Sequence, residues 1–341
     1  MAYQTHIQAI KQGKLAPIYT LLGQDIYLQD RLVDTLKEYL DQEGDMDYSR
    51  FDLQETPLND IIDEANSFSF FADQRLILVD HAEALLGQSR PGLTKNQEAA
   101  LLEYCQNPNP ASVIVFKTQR DQLDKRRKLV KTLQKTTAMV DCSSLSEREL
   151  ETYLAQYLDQ ESFDLDRNAR QELLLRTNFN LTSMMSELRK LATFAQAGQV
   201  ISKQDLILLV PRSLESDIFE LSKAVLSLDV ERATQIYQDL LLMKKEPVAL
   251  HALIMGQFRL YIQTRILSLK GSLQGDIAKQ LGVHPYRVKL ALENNRTLSL
   301  EQLYYFYLLL VDGDKDMKTG VGQPESHFYI LLMKLVDLVN S

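Results

Sequence analysis

Cysteine is scarce in this chain. There are two among 341 residues, Cys105 and Cys142. They lie far apart and follow no metal-ligand spacing, which predicts buried, reduced thiols. Histidine is thin as well. The five residues at 6, 81, 251, 284 and 327 form no HxxxH pair and have no CxxC companion, so no metal site is expected. No Gly-x-Ser-x-Gly or comparable nucleophile motif occurs, and nothing reads as a hydrolase site. Long apolar runs are also missing. The longest, such as LYYFYLLLV at 303–311, fall far below the roughly 20 residues that span a bilayer. The opening MAYQTHIQAIKQGK lacks the apolar centre of a signal peptide. These absences together predict a cytoplasmic protein with no membrane partner.

An excess of basic charge is absent too. The net charge is −8, and all of it falls in the first two thirds: residues 1–211 hold 23 basic and 31 acidic side chains, whereas 212–341 hold 15 of each. Lys and Arg supply most non-specific affinity for phosphate backbones, so such a chain binds nucleic acid poorly on its own. Apolar content of 45% with 25% charged residues is that of an ordinary globular protein. The length favours two or three domains over one core.

Up to about residue 141 strand and helix signals alternate. PIYTLLG (17–23), MDYSRFDL (46–53), RLILVD (75–80), SVIVFK (112–117) and AMVDC (138–142) read as strands. A helix over 26–40 carries apolar residues at 28, 32, 36 and 40, and another starts near Pro57, where proline suits a first turn. This pattern predicts a doubly wound α/β domain with a right-handed parallel sheet. After Cys142 strand signals stop. Four helical stretches follow, the first opened by Ser146 and Glu149 at capping-box spacing. Pro211 marks the next boundary, and beyond it helices are expected at 217–228, 230–244, 247–269, 275–281, 285–296, 299–312 and 323–339. The fold class is therefore α/β plus all-α, with domains at 1–141, 142–211 and 212–341.

Several collinear stretches carry a family resemblance. They are PIYTLLGQD-x-YL (17–28), SFFADQRLILV (69–79), VIVFK followed by LDKRRKL (113–129), NL-xx-MMSELRKL (180–191), QFRL (257–260), IAKQLGVHPYRVK (277–289) and D-xx-MKTG (314–320). In this order they resemble the delta subunit of the bacterial DNA polymerase III clamp loader. The resemblance implies an AAA+-like doubly wound domain, a small helical lid and a C-terminal helical collar used in oligomerisation. It implies a DNA replication role inside a DNA-directed DNA polymerase (nucleotidyltransferase) holoenzyme, with no catalysis by this chain itself and no cofactor. The implied partners are the sliding clamp, the ATP-hydrolysing clamp-loader subunits with the delta-prime subunit, and primer-template DNA without sequence specificity.

Within that frame, a phosphate loop belongs between the first strand and helix. A working loop needs Gly-x4-Gly-Lys-Ser/Thr to admit the phosphates and Mg²⁺. Here the segment Gly23-Gln-Asp-Ile-Tyr-Leu-Gln-Asp30 has neither the second glycine nor the Lys-Ser/Thr, and Asp25 and Asp30 bring like charge towards the phosphates. Gly23, Asp80 and Glu83 are therefore expected to be remnants of a nucleotide site. Asp80 would once have held a metal and Glu83 oriented water.

The stretch SFSFFADQRLILVDHAE (67–83) holds three phenylalanines. If the helix from Pro57 continues through it, Leu58, Ile61, Ile62, Ala65 and Phe68 share one buried stripe, and Phe70 and Phe71 fall away from it. The resemblance assigns the hydrophobic pair after Ser69 to the clamp-binding wedge, and an exposed aromatic pair suits an anchor that enters an apolar pocket. Lys125, Arg126, Arg127 and Lys128 form a dense basic run opening a helix, an unfavourable place for cations and so a candidate contact with DNA or with a neighbour in the complex. Lys315 and Lys318, in a segment read as a loop, are candidates for the same role. Two other readings compete. One is an active AAA+ ATPase. The other is a sequence-specific helix-turn-helix regulator, because GDIAKQLGVHPYRVKLALE (275–293) has Ala278, Gly282 and Val288 at the right spacing and could present His284, Tyr286, Arg287 and Lys289 to a groove.

Overall fold

The structure is a computed structural model and describes residues 2–42, 44–68, 72–87, 92–120, 123–294 and 298–340. The chain forms two compact units, Met1–Ser144 and Leu145–Ser341. No helix among the described residues is long and apolar enough to cross a membrane.

The first unit runs α1 (Ala2–Lys11), β1 (Ile18–Leu22), α2 (Ile26–Leu40), β2 (Asp47–Asp52), α3 (Leu58–Asn66), β3 (Arg75–Asp80), a 3-10 turn (Ala82–Leu86), α4 (Lys95–Gln106), β4 (Ser112–Lys117), α5 (Lys128–Thr136) and β5 (Ala138–Asp141). The five strands are all parallel, in the order β2-β3-β4-β1-β5. The inner strands IYTLL, RLILVD and SVIVFK are buried almost end to end. Such continuous apolar runs are what a parallel sheet covered by helices on both faces requires. The edge strand β2, DYSRFD, alternates between half-buried and exposed positions at its start. Ile61, Ile77, Ile114, Phe116 and Leu133 are fully buried members of one core cluster. The expected doubly wound α/β architecture is the one observed.

The turn from β1 into α2 is unusually tight. Cys142, just past β5, donates its N–H to the Leu22 carbonyl at 2.6 Å, and its own carbonyl accepts from the Asp25 N–H at 3.0 Å. Gly23 sits between them with φ +124, and a Cβ there would collide with the backbone of Cys142 and Ser143. Its missing side chain serves this backbone approach. Cys142 itself is buried, and burial raises its thiol to about 12, so it carries no reactive thiolate.

Helix α3 corrects one expectation. It stops at Asn66, and Ser67 is already extended at φ −68, ψ 148. The helical stripe therefore ends at Ala65, and Phe68 is 80% exposed instead of buried. Periodicity gives the phase of a helix but not its last residue.

The second unit contains α6 (Glu147–Leu158), β6 (Asp164–Leu165), α7 (Arg167–Arg176), α8 (Leu181–Phe194), β7 (Val200–Ile201) and α9 (Lys203–Leu209). Glu149 accepts from the Ser146 N–H and hydroxyl at 2.9 and 2.6 Å, so the expected cap at α6 forms. The two-residue strands β6 and β7 pair in parallel where no strand was expected, being too short to show a periodic pattern. The chain continues with α10 (Leu214–Leu226), α11 (Val230–Leu242), α12 (Pro247–Leu269), α13 (Gln274–Leu281), α14 (Pro285–Asn294), α15 (Leu300–Thr319) and α16 (Pro324–Asn340). Rings interlock their core: Tyr237 stacks on Phe328 at 4.2 Å, and Phe258 tilts against Phe306 at 4.7 Å.

Helix α15 runs seven residues past the expected end at 312. The segment 315–320 reads as a loop, yet Leu303, Phe306, Leu310, Gly313 and Met317 keep a three-four spacing on the buried face. Gly313 leaves room for the buried His251 ring on α12, whose Nε2–H donates to the Leu310 carbonyl at 2.7 Å. The helix ends only at Gly320, which adopts φ 78.

Replacing Gly23 by alanine forces both a strained φ and a backbone collision. Gly23→Ala should lower stability by about 3 kcal/mol or more, read as a strong drop in melting temperature or loss of soluble folded protein. A melting curve like that of the wild type would contradict the close approach.

Candidate functional site

An open cleft of about 650 Å³ lies at the carboxyl ends of β1 to β4, lined by Gly23, Gln29, Asp30, Arg50, Asp52, Asp80, His81, Lys117 and Thr118 among others. This is where an open α/β sheet presents its ligand crevice, and where a phosphate would rest on the N-terminus of α2, the helix after β1. The protein's own side chains occupy these positions. Asp25, only 7% exposed, caps α2 by accepting from the Leu28 N–H at 3.0 Å. Burial raises its carboxyl above the ordinary value, and the Leu28 and Tyr27 amides oppose that rise. The buried Gln29 amide donates to the carbonyls of Gly23 and Thr118, each at 2.8 Å, and so ties the β1 turn to the end of β4.

The acidic strand end is neutralised internally. Asp80 accepts from Arg50 Nε at 2.6 Å, and Lys117 Nζ stands 4.0 Å from its other oxygen while bonding Asp30 at 2.8 Å. The bond to Asp80 raises the Arg50 guanidinium further above its ordinary value. Glu83 accepts the Gln119 N–H at 2.8 Å. Thus Gly23 and Asp80 line the cleft, the glycine packed on backbone and the carboxylate held by protein donors, whereas Glu83 reaches it only through Gln119. His81, in the left-handed region at φ 54, places Nδ1 2.8 Å from Asp52. That bond raises the imidazole above its ordinary value, while Asp52 is lowered first by the Gln54 N–H and then by His81.

Of the other expected residues, Phe70 and Phe71 lie outside the described residues. The basic run precedes α5 and does not open it: Arg127 is the N-cap, and only Lys128 is helical. Arg127 pairs with Glu98 and packs over Gly87, whereas Lys125, Arg126 and Lys128 are exposed. Lys315 and Lys318 stand on the last turns of α15, not in a loop, and Lys318 bonds Asp314 at 2.7 Å.

The 275–293 corner forms as α13, a Gly282 turn at φ 64 and α14, with Ala278 and Val288 buried. Its polar side chains face their own unit. His284 bonds the Leu145 carbonyl at 2.8 Å, and Tyr286 lies 3.7 Å from the Phe179 ring. Arg287 reaches Gln257 at 3.3 Å, and Lys289 reaches Glu147 at 3.7 Å. A recognition helix needs those groups turned outward.

Comparison with known proteins gives this geometry a family. The model for DNA polymerase III, delta subunit, matches residues 19–143, and that for the C-terminal domain of the DNA polymerase III delta subunit matches 215–335. The chain belongs to the DNA polymerase III delta subunit family. It is 34% identical over 331 residues to DNA polymerase III subunit delta of Bacillus subtilis, covering 96% of this chain and 95% of that one. A solved Bacillus subtilis DNA clamp loader delta protein superposes with a TM-score of 0.80 at 34% identity, over 99% of this chain and 100% of that one. The expected α/β class with a helical remainder is thus the fold of the family, and a role as part of the clamp loader in DNA replication follows from membership.

Sequence reasoning on this delta-family chain found Asp25 and Asp30 as misplaced charge but missed Arg50, Gln29 and Lys117, which bind across the cleft. Lys117 ends the VIVFK strand, so a cation at the mouth of an otherwise acidic crevice was the available signal. The His81–Asp52 pair gives a pH test. A raised folded value means that its stabilisation is fully present below the imidazole's ordinary 6.5 and is lost as pH rises through the folded midpoint. NMR titration should place the His81 midpoint above 6.5, and Asp52→Asn should bring it down; equal midpoints would contradict the pair.

Proposed function

We propose that this chain is the clamp-contacting, non-hydrolysing member of its clamp loader. It binds the sliding clamp through Phe70 and Phe71 and helps open one interface of the ring so that primed DNA can enter. The observation that carries the non-hydrolysing part is the Asp25 carboxyl on the N-terminus of α2, the position that a nucleotide phosphate takes in a working site. Arg50 and Lys117 around Asp80 point the same way, because they supply positive charge where a metal would be held. ATP binding and hydrolysis then fall to neighbouring motor subunits and the partner complex, which also includes a delta-prime subunit.

Clamp contact is supported by family membership and by the abrupt end of α3, which delivers an exposed Phe68 directly before the pair. With α3 ending at Asn66, helical phase no longer argues for the outward direction of Phe70 and Phe71. The family pattern now carries that assignment. Residues 142–211 and 212–341 are proposed to act as lid and collar. Lys125, Arg126, Arg127, Lys128, Lys315 and Lys318 remain candidates for contact with primer-template DNA or with a neighbour in the complex, Arg127 being paired with Glu98 and Lys318 with Asp314.

Burying one phenylalanine is worth about 1.5–3 kcal/mol before ordering costs. Phe70→Ala with Phe71→Ala should therefore weaken binding to the sliding clamp by about a hundredfold or more in a titration, with the melting temperature unchanged. Wild-type affinity in the double variant would remove the pair from the interface.

A further inference from the structure

The carboxyl end of α3 is held by side chains from distant parts of the first unit. The Ala65 carbonyl accepts from the Asn109 amide at 2.9 Å and from the Ser112 hydroxyl at 2.8 Å. The Glu64 carbonyl accepts from the Ser67 hydroxyl at 2.8 Å and from Arg75 Nη1. A helix leaves these last carbonyls without partners, and at a surface end water would normally serve. Here a buried guanidinium serves instead.

Arg75 opens β3 and is 6% exposed. One edge of its guanidinium grips Asp47 on β2, with Nε at 2.8 Å and Nη2 at 2.7 Å from Oδ2. The other edge faces the end of α3: Nη1 lies 2.5 Å from the Ser67 hydroxyl oxygen and 3.3 Å from the Glu64 carboxylate. The Arg75 backbone N–H donates to the Ala111 carbonyl at 2.8 Å. Arg75 thus bolts together the start of β2, the end of α3 and both flanks of the short segment that follows Ser67.

We infer that Arg75 is a positioning residue for clamp contact: its two-edged fork fixes Ser67 against the sheet at the point where the chain leaves α3. The inference rests on the proposed clamp-binding role of Phe70 and Phe71. Fixing both flanks before binding reduces the ordering cost of association. The planar five-donor group is required because an ammonium cannot hold Asp47 on one edge and the helix end on the other.

The test titrates purified sliding clamp against the full chain carrying Arg75→Lys, Ser67→Ala, or Phe70→Ala with Phe71→Ala. Each is measured at a temperature where circular dichroism shows the variant fully folded. Arg75→Lys should weaken binding roughly tenfold, the scale of one lost charge-assisted hydrogen bond. Ser67→Ala should give a smaller loss with unchanged melting. Wild-type affinity in folded Arg75→Lys, beside a double phenylalanine variant that fails to bind, overturns the inference and leaves the clamp reading standing. Wild-type affinity in the double phenylalanine variant overturns the clamp reading itself, and the inference with it. If Arg75→Lys does not fold, Ser67→Ala decides: several-fold weaker binding supports the inference, and unchanged binding overturns it.

Discussion

Everything in the first unit is arranged around the contact of the β1–α2 turn with the chain just past β5. Cys142 brackets Gly23 from both sides, through the Leu22 carbonyl and the Asp25 N–H, and leaves no room for a side chain between. With the turn pressed down in this way, Asp25 reaches the free amides of α2 and occupies the helix end most favourable to an anion. The charges beyond it then balance one another: Arg50 with Asp80, Lys117 with Asp30, His81 with Asp52. The parallel sheet keeps the shape of a ligand-binding α/β domain, while its crevice is furnished with internal pairs.

In the proposed reading this frees the sheet to act as a scaffold. Strand β3 links the two features, since Arg75 at its start holds the end of α3 and Asp80 at its end anchors the pairs of the cleft. One strand, buried over RLILV, thus spans from the end of α3 to the crevice.

Much of this was legible in the sequence. Strands β1, β3 and β4 announced themselves as continuous apolar runs, and the Ser146–Glu149 and Gly282 signals marked helix ends correctly because capping is a local matter. What escaped depended on distant partners. The end of α3 is set by Arg75, Asn109 and Ser112, so extrapolating its stripe wrongly buried Phe68. The Asp80 network joins residues 30 to 87 positions apart, beyond any local pattern. The corner at 275–293 showed its buried residues plainly, yet the fate of His284, Tyr286, Arg287 and Lys289 was decided by Leu145, Phe179, Gln257 and Glu147. The last turns of α15, read as a loop at 315–320, escaped because its buried face continues through Gly313, packed on His251 of α12.

Calorimetric titration of Mg·ATP into the isolated chain addresses the self-occupied crevice most directly. The account predicts no saturable heat, and no rise in melting temperature at about 1 mM nucleotide, because a ligand that bound only the folded state would raise it. Saturable one-to-one binding would contradict it, for the phosphates would then have displaced Asp25 from the end of α2.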